Sequence, residues 1–286
     1  METRSERNLG ETSMEPAARK NPIPKRDWRR AFRIIKNVIE DPDRTDEVIE
    51  IIDALAGPSF EKNFRRWAKH PEGQALLRDR PNLLRTLADR DSLKAMPEGS
   101  FGRVYADFMD RAGISPEGLV AAAEQAHEKS LEELGEGFQF VEDEERMYYG
   151  NRLRDQHDLW HVLTGYGQDT AGEAANLAFS VAQIPNLGMT FLVATSVFVV
   201  QPRMKLRWAK YVFQAWRRGR AVPKRLNLAC YEELLPLPLD EVRAKLGIPP
   251  QKQFHPDGVG VLIEHKDGDP EILWKFTHEP AVATVA

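Results

Sequence analysis

Cysteine is almost absent from this chain of 286 residues, in which Cys230 is the single example. One thiol cannot form an internal disulfide framework or a thiolate metal cage, and it suits a reducing compartment. A strong excess of one charge is also missing, because the formal net charge is only −4. A total so close to zero gives no reason to expect a nucleic-acid partner. A chemical function must therefore come from local patterns of residues.

The N-terminal segment lacks an apolar run. Residues 1–24 mix acids with bases, which excludes a secretory signal peptide. Four acids in this segment also argue against an organelle transit peptide: Glu2, Glu6, Glu11 and Glu15. We predict a disordered tail for residues 1–24.

Helical periodicity dominates between residues 28 and 246. One predicted helix spans residues 141–163, and Thr170 to Glu173 has the form of a capping box for the next helix. Near the C-terminus, alternating apolar residues flank a turn at 267–268, which predicts a β-hairpin: Val259, Val261, Ile263, Ile272, Trp274 and Phe276. We therefore predict a mostly α fold, with a single-domain multi-helix bundle over 25–250 and a short hairpin tail over 251–286.

The most informative pattern is H-D-x-x-H-x(11)-E, formed by His157, Asp158, His161 and Glu173. Residues four apart on a helix point about 40° apart, so the two histidines can bind one cation. Asp158 can reach the same cation from the side, and a glycine turn at 165–167 can bring Glu173 back to it. Two imidazoles and two carboxylates suit Zn²⁺, Fe²⁺ or Mn²⁺.

Other interpretations of these residues stay open. The cluster could be a solvated helix face, with Glu173 acting as a helix cap. His127 could instead join His157 and Asp158 in an HD-type phosphohydrolase site, which leaves His161 without a role. If the metal interpretation holds, three polar neighbours are candidates for orienting the ligands: Arg152, Arg154 and Asp155.

A long segment without charge follows the motif, from residue 174 to residue 202. Asparagine, glutamine and proline interrupt it, so a buried helix or pair of helices is favoured over a membrane span. Its side chains either form ordinary core or line a hydrophobic cavity for a lipid tail. The candidate lining residues are Leu187, Phe191 and Val197.

The next segment, from residue 203 to residue 225, has nine lysines or arginines and no acid. An apolar stripe runs through it at helical spacing: Met204, Trp208, Tyr211, Val212 and Ala215. A basic amphipathic helix with tryptophan is typical of a membrane-surface element. The same pattern also fits a helix that packs on the core and exposes a basic face, and the sequence does not separate the two.

The metal motif and the charge-free segment behind it resemble the coenzyme Q biosynthesis protein 4 family of the ubiquinone pathway. Three further segments agree with that family: P-E-G-S-F-G-R-V-Y-A-D-F at 97–108, R-L-R-D-Q-H at 152–157 and Y-E-E-L-L-P-L-P-L-D-E-V-R-A-K-L-G-I at 231–248. The resemblance covers about residues 29–248.

The resemblance implies an all-helical fold that holds prenylated lipid, with Zn²⁺ or alternatively Fe²⁺ at the four ligands. It implies a carbon–carbon lyase that removes the C1 carboxylate of a polyprenylated 4-hydroxybenzoate, by a simple or an oxidative route, with Asp158 and Glu173 as catalytic candidates. The alternative is a non-catalytic prenyl-lipid-binding scaffold that organises ubiquinone-biosynthesis enzymes.

The resemblance also sets the expected partners and location. The partners are a polyprenylated benzoate or quinone precursor, other ubiquinone-biosynthesis proteins, the membrane surface and a second copy in a homodimer. Because residues 1–24 do not read as a transit peptide, we expect a cytoplasmic protein that is peripheral to the inner membrane of a bacterium.

Overall fold

A computed structural model describes residues 23–41, 44–134, 143–199, 205–250, 262–266 and 269–273. This part of the chain is mostly helical, which confirms the predicted fold class. The α-helices are α1 (Trp28–Glu40), α2 (Thr45–Ala68), α3 (Pro71–Asp79), α4 (Leu83–Ala88), α5 (Arg90–Lys94), α6 (Phe101–Ala112), α7 (Pro116–Leu134), α8 (Glu144–Asp155), α9 (His157–Thr164), α10 (Thr170–Gln183), α11 (Leu187–Val199), α12 (Lys205–Ala221), α13 (Tyr231–Leu234) and α14 (Leu239–Leu246). A short 3₁₀ turn spans Leu226–Leu228.

The helix predicted over residues 141–163 is divided into two helices, α8 and α9. Asp143 begins α8 by accepting a hydrogen bond from the backbone amide of Arg146. Gln156 separates the two helices, because its φ of −86° and ψ of −4° depart from the regular helix. The interruption places His157 in the first turn of α9 and not in the middle of a longer helix.

A tight turn connects α9 to α10. Gly165 ends α9 with a φ of 75°, a left-handed conformation that glycine adopts without strain. Asp169, and not the predicted Thr170, caps α10 by accepting hydrogen bonds from two backbone amides. A Cβ atom added to Gly172 would lie 2.1 Å from the carbonyl oxygen of Gly167, so the turn lies directly against the first residues of α10.

The main hydrophobic core joins the helices around this turn. Side chains from α6, α9, α10, α12 and α14 contribute to it. Where α10 meets α12, a Cβ atom added to Gly219 would lie 2.5 Å from the backbone oxygen of Phe179, so the two helices pack closely. Two smaller clusters complete the interior, one formed mainly by α2, α3 and α8 and the other by α1, α2 and α11.

The apolar stripe predicted on the basic helix faces the core. Trp208, Tyr211, Val212 and Ala215 of α12 are buried, and Met204 lies outside the described residues. Packing of α12 against α10 buries this stripe, so these residues belong to the core, and contact of the helix with a membrane surface stays a prediction. A different apolar set on α12 is exposed: Leu206 (82%), Phe213 (56%) and Trp216 (37%).

The described residues near the C-terminus form two antiparallel strands, β1 (Leu262–Lys266) and β2 (Asp269–Leu273). The predicted turn at 267–268 and the outer alternating positions of the hairpin lie outside the described residues, as does most of the predicted tail at 1–24. Among the helices that the structure describes, none combines the length and apolar character needed to cross a bilayer.

Candidate metal centre

The four residues of the H-D-x-x-H-x(11)-E motif come together at the α9–α10 turn. Nε2 of His157 lies 3.3 Å from Nε2 of His161. The Glu173 carboxylate lies 3.2 Å from Nε2 of His161 and 3.5 Å from Nε2 of His157. A carboxylate oxygen of Asp158 lies within 4.8 Å of both histidine ring nitrogens. The turn thus returns Glu173 to the histidines, as the spacing predicted.

The spacing of these donor atoms fits a divalent cation. Two ligand nitrogens about 2.0–2.1 Å from a tetrahedral zinc ion are separated by about 3.3 Å. The separation of the two Nε2 atoms is 3.3 Å, and the two oxygens of the Glu173 carboxylate lie at similar distances, Oε1 3.2 Å from His161 and Oε2 3.5 Å from His157. Nitrogen and carboxylate donors of this kind suit Zn²⁺, Fe²⁺ and Mn²⁺ alike, so the geometry supports a cation without selecting among them.

The orientation of His161 is fixed from two sides. Its Nδ1 lies 3.1 Å from the backbone oxygen of Tyr166, which is an acceptor for a proton on Nδ1. A proton there leaves the Nε2 lone pair free for a cation, an arrangement common among metal-binding histidines. The Phe108 ring of α6 stacks on the imidazole with 5.9 Å between ring centres. Sequence analysis missed this role of the Tyr166 carbonyl, because every residue has a backbone oxygen and residue type does not distinguish it.

The His161 imidazole and the Glu173 carboxylate stabilise each other's charged forms. Burial disfavours a charge on His161, but the Glu173 carboxylate outweighs burial and raises the pKa of His161 to about 9. Burial also opposes a charge on Glu173, yet His161 and His157 hold the pKa of Glu173 well below its ordinary value. Without a cation, the cluster therefore retains a proton at neutral pH, and a binding cation must displace it.

Tyr105 of α6 adds a phenol group beside the motif. Its side chain is buried, and burial raises the pKa of its hydroxyl, with the negative charge of Asp158 acting in the same direction. Tyr105 therefore stays neutral at physiological pH. Together with Phe108 it gives the site an aromatic side.

Comparison with known proteins decides the family. The model of the family described as coenzyme Q (ubiquinone) biosynthesis protein Coq4 matches residues 29–122 and 127–252. The chain belongs to the Coq4 family. This range includes α9, α10 and all four motif residues.

Individual relatives agree with the Coq4 assignment. The chain is 33% identical over 213 residues to the mitochondrial ubiquinone biosynthesis protein COQ4 of Phaeosphaeria nodorum, and 33% identical over 213 residues to that of Pyrenophora tritici-repentis. Each alignment covers 73% of this chain and 66% of the relative, slightly less than two thirds of its length. The crystal structure of a proposed ubiquinone biosynthesis protein from Nostoc punctiforme has the same fold, with a TM-score of 0.57 and 22% identity over 78% of this chain and 99% of the other.

The expected bacterial inner-membrane location is contradicted by these Coq4 relatives. The similar proteins from Phaeosphaeria, Pyrenophora and Talaromyces are all mitochondrial proteins of fungi. The expectation rested on the acids within residues 1–24, and composition alone is a weak guide to targeting.

The polar neighbours predicted to orient the ligands make other contacts. Arg152 is buried and donates two hydrogen bonds to the Glu232 carboxylate, which ties α8 to α13. Arg154 donates to the Asp155 carboxylate beside it. Among the contacts that the structure describes for these three side chains, none reaches a motif residue. Their role in orienting the ligands therefore stays a prediction.

Two other arginines hold the end of the helix that carries the histidines. Arg243 of α14 donates hydrogen bonds to the backbone oxygens of Val162 and Leu163. Arg218 of α12 donates to the backbone oxygen of Thr164. These oxygens lie in the last turn of α9, where carbonyl groups lack helical partners and the helix dipole favours positive charge. Sequence analysis missed both residues, because their partners are backbone atoms 54 to 81 positions away.

We expect Arg243→Ala to weaken metal binding about tenfold, because the last turn of α9 would lose two charged donors and His161 would lose a fixed position. Zinc affinity can be measured by competition with a chelator. Lys245→Ala is the control, since Lys245 lies on the same helix and forms an exposed ion pair with Glu241. An unchanged zinc affinity in Arg243→Ala would contradict the positioning role.

The candidate lipid-lining residues lie on α11 at two places. Leu187 and Phe191 pack against the cluster formed by α1, α2 and α11. Val197 packs against the main core. All three side chains are half-buried. This placement leaves them available to a lipid tail, and the cavity itself stays a prediction.

The rival phosphohydrolase interpretation receives no support from the described residues. His127 is exposed on α7. The donor atoms of His157, Asp158 and His161 lie within 4.8 Å of one another, and Glu173 approaches both of these histidines, but His127 is not part of this group.

Proposed function

We propose that this Coq4 family member acts in ubiquinone biosynthesis by removing the C1 carboxylate of a polyprenylated 4-hydroxybenzoate. The observation that carries the proposal is the meeting of two imidazoles and two carboxylates at the α9–α10 turn, beside aromatic side chains and a largely apolar core. Such a site can hold a cation and a charged aromatic head while apolar segments accommodate a prenyl tail.

His157, His161 and Glu173 would hold the cation, with Asp158 beside them. A divalent cation bound there would supply Lewis acidity toward oxygen atoms of the substrate. Phe108 and Tyr105 would cover one side of the site and limit the access of water. His161, oriented by the Tyr166 carbonyl, keeps the donor atoms in place during the reaction.

The simple route needs a proton at C1, and we propose that Asp158 delivers it. The phenol oxygen para to the carboxylate donates electron density to the ring, which makes C1 basic. Asp158 relays a proton from solvent to C1; the bond from C1 to the carboxylate carbon then breaks, and its electron pair returns to the ring. Carbon dioxide leaves, and Asp158 is a carboxylate again.

The exposed face of α12 suits the membrane surface from which such a substrate would come. Leu206, Phe213 and Trp216 are exposed there, with the exposed cations Arg207 and Arg217 beside them. Aromatic and basic side chains together are typical of helices that lie on anionic lipid.

The test is turnover of 3-geranyl-4-hydroxybenzoate, labelled with ¹³C in the carboxylate, by purified protein loaded with Zn²⁺ or with Fe²⁺. The reaction is run in D₂O under air. We expect labelled carbon dioxide and a product with deuterium at C1. A product that carries oxygen at C1 would show that the reaction follows the oxidative route and not the simple one. Binding of the substrate without release of carbon dioxide would favour a lipid-binding scaffold over an enzyme.

A further inference from the structure

Asn176, in the middle of α10, is a buried polar side chain whose amide has no partner among the described residues. None of its surface is exposed, and neither its Nδ2 nor its Oδ1 has a hydrogen-bond partner in the part of the chain that the structure describes. An unpaired amide in a protein interior destabilises the fold, because both atoms have lost their hydrogen bonds to water. Such a group is expected where a ligand supplies the missing bonds.

The position of Asn176 on the helix shows which way it faces. Glu173 approaches the α9 histidines, and the Phe179 ring contacts the ring of Trp160 on α9 with 6.3 Å between centres. At about 100° per residue, Asn176 lies about 60° from each of these two side chains, midway between them. Its amide therefore faces α9, about one turn of α10 beyond the metal centre.

A second polar atom without a partner in the described chain occurs close to the histidines in sequence. Gln156 is buried, directly precedes His157, and its Oε1 has no hydrogen-bond partner among the described residues. Such polar atoms thus occur at the residue that precedes His157 and at a residue one helical turn after Glu173. Asn176 offers a donor and an acceptor, whereas the free atom of Gln156 offers an acceptor alone.

We propose that Asn176 binds the ring hydroxyl of the aromatic substrate and so determines specificity for it, an inference that rests on the proposed function. A phenol hydroxyl both donates and accepts a hydrogen bond, and the Asn176 amide can satisfy both through Oδ1 and Nδ2. One helical turn, about 5 Å along the axis, is comparable to the distance from the carboxylate carbon to the para oxygen of a hydroxybenzoate. A carboxylate at the metal centre would therefore place a para hydroxyl near Asn176.

The test compares two ligands on two proteins. Dissociation constants of zinc-loaded protein are measured by calorimetry for 3-geranyl-4-hydroxybenzoate and for 3-geranylbenzoate, which lacks the ring hydroxyl. We expect Asn176→Leu to weaken binding of the hydroxylated ligand by about tenfold or more and to change binding of the other by less than about twofold. Without ligand, Asn176→Leu should melt at the same or a higher temperature, because leucine removes an unpaired amide.

Asn63→Leu is the matched control. Asn63 is also buried, but its Nδ2 donates a 2.8 Å hydrogen bond to the backbone oxygen of Pro185. We expect this variant to melt a few degrees lower and to leave the ratio of the two affinities unchanged.

Three results would overturn the proposal. If Asn176→Leu lost affinity equally for both ligands, the residue would act only through its shape and not by binding the ring hydroxyl. A lower melting temperature of that variant without ligand would mean that the amide has an internal partner, such as a bridging water. Failure of the unaltered protein to bind either ligand would overturn the proposed function and this inference with it, a result distinct from the other two.

Discussion

Replacing His161 by alanine should remove the metal and the activity together. Nε2 of His161 lies 3.3 Å from Nε2 of His157 and 3.2 Å from the Glu173 carboxylate, so the variant loses a donor that both of the others approach. Loss of a group that merely orients a ligand costs about 10- to 100-fold in metal affinity, so loss of a ligand should cost more than a hundredfold. Metal content per chain can be measured by mass spectrometry, and turnover by release of labelled carbon dioxide.

The matched control for that experiment is His127→Ala, the same chemical change on an exposed part of α7. It should leave metal content and turnover unchanged. Circular dichroism should show that His161→Ala keeps its helices. Full metal content in His161→Ala would contradict the proposed ligand set, and a damaged His127→Ala would revive the phosphohydrolase interpretation.

Replacing Arg146 by alanine should cause the largest loss of stability. Arg146 of α8 is almost fully buried, and it donates two hydrogen bonds of 2.8 Å to the Glu61 carboxylate of α2. It also pairs with Asp143 and lies over the Phe64 ring. Removing one partner of a buried ion pair leaves the other charge without compensation and costs about 3–5 kcal/mol. Thermal unfolding should therefore occur about 10 °C lower.

Arg65→Ala is the control for that prediction, because Arg65 pairs with the same carboxylate from an exposed position on α2. Solvent screens such a pair, so the variant should lose less than about 1 kcal/mol. If the two variants melted at similar temperatures, burial would not be the reason for the strength of the Arg146 pair.

Local sequence could predict those features of the structure that depend on residues close together in the chain. The i, i+4 histidines, the glycine turn and Glu173 lie within 17 consecutive residues, and the structure brings them together as their spacing indicated. The helical class was equally accessible from apolar periodicity.

The parts that sequence could not predict depend on distant segments. Packing against α10 determines the buried face of α12, and residue type could not identify it because both faces carry aromatic residues. The break at Gln156 has no glycine or proline to mark it. Arg218 and Arg243 act on backbone oxygens of α9 from other helices. Asn176 is conspicuous only once its burial is known.

The shortness of the ligand segment has a consequence for biosynthesis. All four donors lie between residues 157 and 173, so bringing them together closes a loop of fewer than 20 residues, at a small entropic cost. The arginines that brace α9 follow about 50 residues or more later in the chain. Translation adds roughly 5–20 residues per second, so all four donors are synthesised seconds before Arg218 and Arg243. The nascent chain can acquire its cation first, and the later helices then fold around a centre already formed.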